Sequence, residues 1–550
     1  MEKPNLPFLK LQRTPGNTLS GLRKFLEDYR SECPNDVFQI LDPVTVDYET
    51  TAYYKLMETR DPVLWFDKIS NFPDFTIASN ILGNKRRMAW ANDCDQSDLF
   101  RKWREIISHS GPIEIDDHKA EVKQVINSAE QVNLFELPIC KHFLQDGSEL
   151  GFPRYVTSGL AVARDPSSPD IINLSYARMQ LISKNEYAFD LGSKGHFERY
   201  VEFSKRRGKT LPVSIIIGAH PLYYMLAAAF IENEYSKATK LLDARYTNGI
   251  TNDIPIPLDA EIVLEAEVDP IRFVKEGPFS EFTGYISKDT TGNVGHVKAI
   301  LRKKNAIYYD IIPSNSNEHV NLFSMPRDCV TTQIFEEVMP KTSNYRLEWP
   351  PAGAHILALC EVTSRELGLA KQAGLAVLAL DPLFSKIVLV TEGKTDLDLF
   401  TFLMNLALDQ KEGRRNNVSI IGDLFCIRLD PTPSQRGFTS KAIMVARGRS
   451  LPFSKTVEGD EVHLESNSAK VIVSHTASSN CEVSLVVGDD IDLTNERDLI
   501  WAISTRMRPD EDILCRDGRL IINANKKFAE VPELPSRLLS ELRVKLAKKV

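Results

Sequence analysis

Two glutamates stand either side of a glycine–proline bend in the segment EGPFSE at residues 276–281. Carboxyl groups such as those of Glu276 and Glu281 can hold different protonation states, so that one donates a proton while the other stays ionised and holds a cation such as arginine. An ordinary solvated turn has the same local pattern. An alternating apolar run at 261–265 precedes the bend and predicts a strand that leads towards it.

A second polar segment, NLSYAR at 173–178, offers an amide, a hydroxyl and a guanidinium within one predicted strand. Because side chains alternate along a strand, Arg178 shares a face with Tyr176, whereas Asn173 and Ser175 share the other. Arginine suits a carboxylate or phosphate site, since its planar fork binds either group bidentately and keeps its charge. A surface arginine in an ion pair is the alternative interpretation.

Together these two segments resemble the UbiD-like family of reversible decarboxylases, which use prenylated flavin mononucleotide (FMN). The resemblance covers most of the chain. It is carried in the same order by GLRKFL at 21–26, LPICKHFLQDG at 137–147, IGAHP at 217–221, GDDID at 488–492 and WAISTR at 501–506.

The resemblance implies a role for each of three charged residues. Glu281 is the proton donor, and Arg178 orients the substrate carboxylate within a network that Glu276 completes. It also implies a set of cofactor-binding residues: Asn173, Ser175, Tyr176, Ala177, Arg178, His196 and Glu232.

A divalent metal site follows from the same resemblance, in which Asn173, His196 and Glu232 hold Mn²⁺ or Mg²⁺ together with the flavin phosphate. Oxygen donors with one imidazole suit these ions. The choice of glutamate is ambiguous: counting back from 261–263 without a gap reaches Glu232, and Glu234 is the reserve. The family also has a monovalent cation site, K⁺ here, made largely of backbone carbonyls.

Loss of CO₂ from an sp² carbon leaves a carbanion that no protein side chain can stabilise, so a cofactor must accept its electrons. The resemblance therefore predicts non-oxidative decarboxylation of an unsaturated or aromatic acid, with a UbiX-like flavin prenyltransferase as the supplier of the cofactor. The competing hypothesis is a flavin-binding or assembly protein that has the fold but no turnover.

Composition limits the remaining classes. A chain of 550 residues exceeds the size of one hydrophobic core and predicts two or three domains. Net charge of -8 gives no electrostatic case for nucleic acid or an anionic membrane. No segment is apolar enough to be a secretory signal or a membrane span, which predicts a cytoplasmic protein. The eight cysteines contain no Cys-x-x-Cys pair, which argues against zinc fingers and disulfide frameworks.

Apolar runs alternate with helical stretches, so the predicted class is α+β. Runs at 155–164 and 171–180 predict an antiparallel pair, and strand-like segments at 213–217, 262–268 and 299–309 extend a barrel-like middle domain. The family's flavin domain is a split β-barrel. We therefore expect an α/β N-terminal domain at 1–125, a split-barrel flavin domain at 126–330 and an α/β oligomerisation domain at 331–550.

Three features mark the last of these domains. A helix at 368–378 feeds a strand at 387–390, which implies a parallel sheet. A similar strand recurs at 483–487 and only that copy leads into the acidic run, so 391–480 is interpreted as an insertion or a rearranged region. Leucines 538, 539, 542 and 546 share one face of a final helix that docks on its own or a neighbouring subunit, and a homodimer or higher homo-oligomer is expected.

Motifs of other enzyme classes are weak or absent. TEGKTD at 391–396, with Asp490 and Asp492, resembles the acidic pattern of topoisomerase–primase modules, but the chain lacks the basic face that nucleic acid requires. It also lacks Gly-x-x-x-x-Gly-Lys, His-Glu-x-x-His, Gly-x-Ser-x-Gly and Gly-x-Gly-x-x-Gly. The absence of these motifs argues against a phosphate-loop nucleotidase, a zinc protease, a serine hydrolase and a nicotinamide-dependent enzyme, respectively.

Overall fold

The computed structural model describes residues 21–547 except 117–119, 148–151, 191–194, 230, 243, 289, 342, 365–367, 415–416, 436, 467 and 517. The chain divides into two compact units. The first unit takes the chain up to Phe279, Lys288–Ile312 and the residues from Glu533, and the second takes Ser280–Ser287 and Pro313–Pro532. Both units mix helices and strands, as the α+β class predicts. The division into domains at residues 125 and 330 stays a prediction.

The helices of the described chain follow in order: α1 (Leu22–Glu32), α2 (Glu49–Met57), α3 (Lys85–Ala91), α4 (Leu99–Ile107), α5 (His196–Arg206), α6 (Pro221–Ala227), α7 (Glu234–Leu242), α8 (Asn317–Val338), α9 (Leu369–Leu380), α10 (Leu399–Lys411), α11 (Glu496–Arg506), α12 (Pro509–Asp512) and α13 (Ser536–Ala547). None of these described helices is both long enough and apolar enough to span a membrane.

The strands up to residue 310 are β1 (Val37–Ile40), β2 (Val63–Phe66), β3 (Phe75–Ser79), β4 (Glu114–Ile115), β5 (Val125–Ser128), β6 (Tyr155–Asp165), β7 (Ser168–Leu181), β8 (Glu186–Asp190), β9 (Leu211–Ile217), β10 (Arg245–Asn248), β11 (Pro255–Pro257), β12 (Ile262–Glu276), β13 (Phe279–Ser280), β14 (Ile286–Ser287), β15 (Thr290–Arg302) and β16 (Ala306–Asp310). The remaining strands are β17 (Asn344–Glu348), β18 (Leu357–Thr363), β19 (Ile387–Glu392), β20 (Val418–Phe425), β21 (Phe438–Arg447), β22 (Ser454–Glu458), β23 (Glu461–Glu465), β24 (Lys470–Ser474), β25 (Val483–Val487), β26 (Ile513–Arg516) and β27 (Arg519–Ala524).

A sheet that closes on itself forms the centre of the first unit. Its antiparallel strands run in the order β12-β9-β6-β7-β8-β15, and β15 pairs again with β12. β15 is long enough to pair with β8 through its first part and with β5 through its second. The ring contains β6 and β7, which confirms the predicted antiparallel pair. Asp165 closes their turn, because its carboxylate accepts the Ser167 backbone N–H at 2.7 Å.

The prediction of one strand over 299–309 is wrong. The chain leaves the ring after Arg302, and β16 instead pairs in parallel with β3 in a separate sheet of order β1-β2-β3-β16. Glu261 contributes to this change of direction, because its carboxylate accepts the Ile307 backbone N–H at 2.9 Å and lies 3.3 Å from the Lys303 ammonium. A continuous apolar run does not reveal where a chain changes sheets.

The last helix, α13, packs on the first unit of its own chain. Leu542 and Leu546 are buried in the core around the closed sheet, and Leu538 and Leu539 pack against that core half-buried. The predicted helix and its apolar face are therefore correct. The surface that covers this face belongs to the same chain, so the leucine face gives no reason to expect an oligomer.

The second unit contains two sheets whose central strands are parallel. One has the order β17-β18-β19-β21-β20 and the other β22-β23-β24-β25-β27-β26. The helix α9 precedes β19, which pairs in parallel with β18 and β21, as predicted. The two similar strands noted at 387–390 and 483–487 are β19 and β25, one in each sheet. Residues 391–480 therefore supply strands to both sheets and the helix α10, which packs on β21 and β24.

Candidate functional site

Strand β7 carries most of the predicted cofactor-binding residues. Asn173 is buried, and its side-chain oxygen accepts the Ser175 hydroxyl at 2.8 Å. The Tyr176 hydroxyl donates to the Tyr224 carbonyl at 3.0 Å, and Ala177 is buried in the core around the closed sheet. The strand thus presents both polar and core side chains along its length.

The buried Glu234 carboxylate lies beside Asn173 and His196. It accepts the Asn173 side-chain amide at 3.2 Å and the Leu174 backbone N–H at 3.3 Å. His196, the first residue of α5, places its Nδ1 at 3.8 Å from a carboxylate oxygen of Glu234 and 3.4 Å from the Asn173 amide. Three elements, β7, α5 and α7, therefore bring one amide, one imidazole and one carboxylate together.

Glu232 does not join this cluster, which corrects the choice made from the sequence. Its side chain is exposed, whereas Glu234 at the start of α7 is 4% exposed and contacts Asn173. Counting back from the strand β12 assumed a loop without deletions between α7 and that strand. The structure favours the reserve candidate, Glu234, because the turn before α7 buries that residue instead.

Burial raises the pKa of Glu234 to about 7, although the N–H groups that it accepts partly oppose the shift. A desolvated carboxylate beside an amide and an imidazole is a fitting place for a divalent cation, which would favour the ionised form. The donor set fits Mn²⁺ or Mg²⁺ on chemical grounds, since both prefer oxygen ligands.

Further along β7, Arg178 forms an ion pair with Glu276 at the end of β12. Its Nη2 lies 2.9 Å from a Glu276 carboxylate oxygen and 2.5 Å from an oxygen of Asp190. The Thr290 hydroxyl also lies 2.5 Å from the same Glu276 oxygen. Glu276 is buried and its other oxygen, Oε1, accepts no hydrogen bond from the described residues. The pairing of Arg178 with Glu276 is thus as predicted.

Two residues of this cluster were not predicted from the sequence. Asp190 pairs with Arg178 as its cross-strand neighbour on β8, and only the register between the two strands could have identified it. Gln180 holds the bend: its side-chain oxygen accepts the Gly277 backbone N–H and the Tyr155 hydroxyl, both at 2.9 Å. Gly277 has a φ of +99°, which explains the glycine at this position.

Aromatic rings complete the surroundings of Arg178 within the first unit. The guanidinium carbon lies 4.5 Å from the centre of the Phe279 ring, which in turn packs 4.7 Å from Tyr155. Burial, and the nearby charge of Glu276, raise the pKa of the Tyr155 hydroxyl far above its ordinary value. Tyr155 is therefore a neutral hydrogen-bonding residue and not a base.

Glu281, the predicted proton donor, belongs to the second unit. It is 6% exposed, and its carboxylate accepts the Ser287 hydroxyl at 2.8 Å. Its backbone N–H donates to the Tyr285 carbonyl at 2.9 Å, so the residue starts a tight turn that returns at β14. A buried carboxyl group that accepts a hydroxyl hydrogen bond is a suitable place for a proton donor.

Cys140, His142 and Asp310 form a separate buried group, whose potential metal-ligating atoms lie within 4.8 Å of one another. The His142 Nε2 and an Asp310 oxygen are 2.9 Å apart. Burial, together with the charge of Asp310, raises the pKa of the Cys140 thiol well above its ordinary value, which disfavours the thiolate that a metal requires. We interpret this group as a polar contact of the core.

Comparisons with known proteins match three parts of the chain to one family. Models of 3-octaprenyl-4-hydroxybenzoate carboxy-lyase match with their N-terminal domain at residues 31–107, their Rift-related domain at 113–316 and their C-terminal domain at 461–524. The chain belongs to the UbiD family of decarboxylases. The resemblance drawn from the sequence is thereby confirmed, and the protein is a carboxy-lyase by family.

Two curated relatives of this UbiD-family chain are named as decarboxylases. Anhydromevalonate phosphate decarboxylase of Methanosarcina mazei is 26% identical over 367 residues, which cover 66% of this chain and 81% of the relative. Phenolic acid decarboxylase of Escherichia coli O157:H7 is 25% identical over 418 residues, which cover 70% and 82%.

Solved structures share the fold of the UbiD-family chain. The UbiD-class enzyme HmfF from Pelotomaculum thermopropionicum, in complex with FMN, has a TM-score of 0.69 at 24% identity and covers 80% of this chain and 97% of its own. Vanillic acid decarboxylase of Sedimentibacter hydroxybenzoicus in closed form has a TM-score of 0.67 at 21% identity, with coverage of 80% and 96%. An evolved dimeric form of HmfF was solved with prenylated FMN.

Proposed function

We propose that this protein catalyses the reversible, non-oxidative decarboxylation of an unsaturated or aromatic carboxylic acid, with prenylated FMN and a divalent metal. The observation that carries the proposal is the arrangement along β7. One part of the strand contributes to the Asn173–His196–Glu234 cluster, and Arg178, five residues after Asn173, forms the ion pair with Glu276. The proposed metal site and the guanidinium proposed to bind the substrate carboxylate thus share one strand.

The cation site would hold the cofactor through its phosphate. Asn173, His196 and Glu234 are proposed to bind Mn²⁺ or Mg²⁺, and Ser175, Tyr176 and Ala177, on the same strand as Asn173, are proposed to contact the cofactor. We also propose that the chain has the family's K⁺ site, and that the closed sheet of the first unit is the family's split β-barrel. Prenylated FMN, when bound, supplies the electron sink that loss of CO₂ from an sp² carbon requires.

Arg178 is proposed to bind the substrate carboxylate. Its guanidinium cannot be deprotonated at any working pH, and its Nη2 already lies close to two carboxylates, those of Glu276 and Asp190. These two anions hold the guanidinium in place. The Phe279 ring on its face excludes water from one side, which strengthens the electrostatic attraction for an incoming anion.

Glu281 is proposed to give its proton to the carbon that has lost CO₂. A general acid must carry its proton before transfer, and Glu281 is a buried carboxyl group within the second unit. In the carboxylation direction the same carboxylate would take the proton back. The names of the relatives support phenolic and other unsaturated acids as the substrates to examine first.

The test uses the full chain co-expressed with a UbiX-like flavin prenyltransferase and incubated with a series of unsaturated, phenolic and other aromatic carboxylic acids. We expect the parent to release CO₂ from at least one acid. In Glu281→Gln this rate should fall about 1,000-fold with flavin content unchanged, since the amide is not an acid that can transfer a proton. Glu267→Gln, a change of a half-buried glutamate on β12, is the control.

Two results would contradict this proposal. Turnover of Glu281→Gln within a few-fold of the parent would remove that residue from the donor role. A parent that carries prenylated FMN yet releases CO₂ from none of the acids would support the alternative of a flavin-binding or assembly protein.

A further inference from the structure

The turn that carries Glu281 is short and internally hydrogen-bonded. The Glu281 backbone N–H donates to the Tyr285 carbonyl, and the Gly284 N–H returns to the Glu281 carbonyl, both at 2.9 Å. The Ser287 hydroxyl holds the Glu281 carboxylate at 2.8 Å. The position of this carboxyl group therefore depends on the position of the whole turn.

Trp501 of α11 contacts the middle of this turn. Its indole N–H donates to the Thr283 carbonyl at 2.8 Å, and its ring stacks on Tyr285 at 5.3 Å and 21°. Gly284 has a φ of +84°, and a Cβ there would lie 2.8 Å from the indole nitrogen. The turn and the tryptophan are consequently in direct contact, and no larger residue fits between them.

Arg506, one helical turn and a half further along α11, fastens the same turn from a second side. Its Nε donates to the Tyr285 hydroxyl at 2.9 Å, and its two terminal nitrogens donate to the two oxygens of Asp490 at 2.7 Å. The guanidinium also packs over the Trp501 ring at 4.6 Å. Such bidentate geometry fixes the direction of the guanidinium and hence of the bond to Tyr285.

We propose that Trp501 and Arg506 are positioning residues for the proton donor: through Thr283, Tyr285 and the turn, they hold the Glu281 carboxyl group where it can transfer its proton. This inference rests on the proposed function. It gives a role to the segments 488–492 and 501–506, which are remote from Glu281 in sequence and otherwise serve no step of the reaction. A general acid must be held to within a fraction of an ångström of its acceptor, so the cost of losing either contact falls on proton transfer.

The test compares Tyr285→Phe, which removes one hydroxyl but keeps the stacked ring, and Trp501→Phe, which removes the indole N–H. Tyr345→Phe is the matched control, because its hydroxyl bonds the Pro340 carbonyl elsewhere in the second unit. We expect kcat to fall about tenfold or more in the two variants with KM within about twofold of the parent. The solvent deuterium isotope effect on kcat should rise, because proton transfer becomes slower relative to the other steps.

Hydrogen–deuterium exchange adds a measurement that needs no turnover. The amides of Glu281 and Gly284 should exchange faster in Trp501→Phe than in the parent, and at the parent rate in Tyr345→Phe. A general loss of folding would lower kcat in proportion to active enzyme without raising the isotope effect. The proposal is overturned if both variants keep the isotope effect and amide exchange of the parent. If the parent itself shows no decarboxylation, the proposed function fails and this inference with it.

Discussion

Glu234 is buried, and its carboxylate accepts two N–H groups in place of water. Burial raises the pKa of this carboxyl group to about 7, although the hydrogen bonds partly oppose the rise. Its neighbour Glu232, two residues earlier, remains exposed. The sequence could specify a glutamate at this place but not which one, because the choice depends on the length of the loop between α7 and β12. Asn173, His196 and Arg178 were named through the family resemblance, and the structure places Asn173 and His196 beside Glu234 and pairs Arg178 with Glu276.

If Asn173, His196 and Glu234 hold the proposed divalent metal, we expect Glu234→Ala to lose most of that metal and, with it, much of its flavin, because the ion would join the protein to the cofactor phosphate. Glu232→Ala is the matched control and should keep both. Elemental analysis for manganese beside flavin absorbance measures the two quantities in the same sample. Full metal content in Glu234→Ala would return the assignment to another residue.

His355 links two carboxylates inside the second unit. Its Nδ1 lies 3.2 Å from Asp328 and its Nε2 lies 3.3 Å from Asp381, while the Trp349 ring stacks on it at 4.9 Å. Burial by itself lowers the pKa of His355, but the two carboxylates outweigh burial and the net pKa is raised. Although burial raises the pKa of Asp381, its bonds to His355 and Ser385 bring that pKa to about 2.

The sign of the resulting pH dependence follows from the raised pKa of His355. Its stabilisation is complete below the ordinary histidine pKa of about 6.5 and is lost as pH rises through the higher folded value. We expect His355→Gln to lower the free energy of unfolding by about 3 kcal/mol at pH 6, and by less at pH 9. Denaturant unfolding at both pH values, with His475→Gln as control, measures the difference. An equal loss at both values would contradict the prediction.

At the scale of elements, periodicity predicted where helices and strands occur better than it predicted which elements they pack against or pair with. The hairpin of β6 and β7, the unit of α9 and β19, and the helix α13 all have clear local patterns and lie where expected. The partners of β16 and α13 were not predictable, since β16 pairs with β3 and α13 packs on α2, which lies almost 500 residues earlier. Such long-range choices depend on complementary surfaces and not on spacing.

The apolar face of α13 should stabilise the first unit. We expect Leu546→Ala to lower the free energy of unfolding by about 2–4 kcal/mol, because it leaves a cavity in the core around the closed sheet. Val544→Ala on the same helix is the control, since Val544 is 58% exposed, and its effect should stay within about 0.5 kcal/mol. Light scattering should give the same molar mass for both variants. A large loss in Val544→Ala, or dissociation of an oligomer in Leu546→Ala, would show that this face meets another subunit.

At the scale of the whole molecule, each unit has its own hydrophobic core. Chains with separate cores commonly depart from two-state unfolding. We expect calorimetry to resolve two transitions, with Leu546→Ala lowering one and His355→Gln lowering the other, each by about 4–10 °C. A single transition that both variants lower equally would mean that the units unfold together.

Because α13 lies at the C-terminal end of the described chain, the first unit cannot complete its core until synthesis is almost finished. Its core needs Leu542 and Leu546, and the ribosome makes Pro313–Pro532 before them. At about 5–20 residues per second, that interval lasts roughly 10–45 s. During it, the apolar core residues that Leu542 and Leu546 will cover are exposed to solvent, which favours aggregation. A transcript truncated shortly before codon 536 would therefore produce an aggregation-prone chain, although every residue proposed for the chemistry would be present.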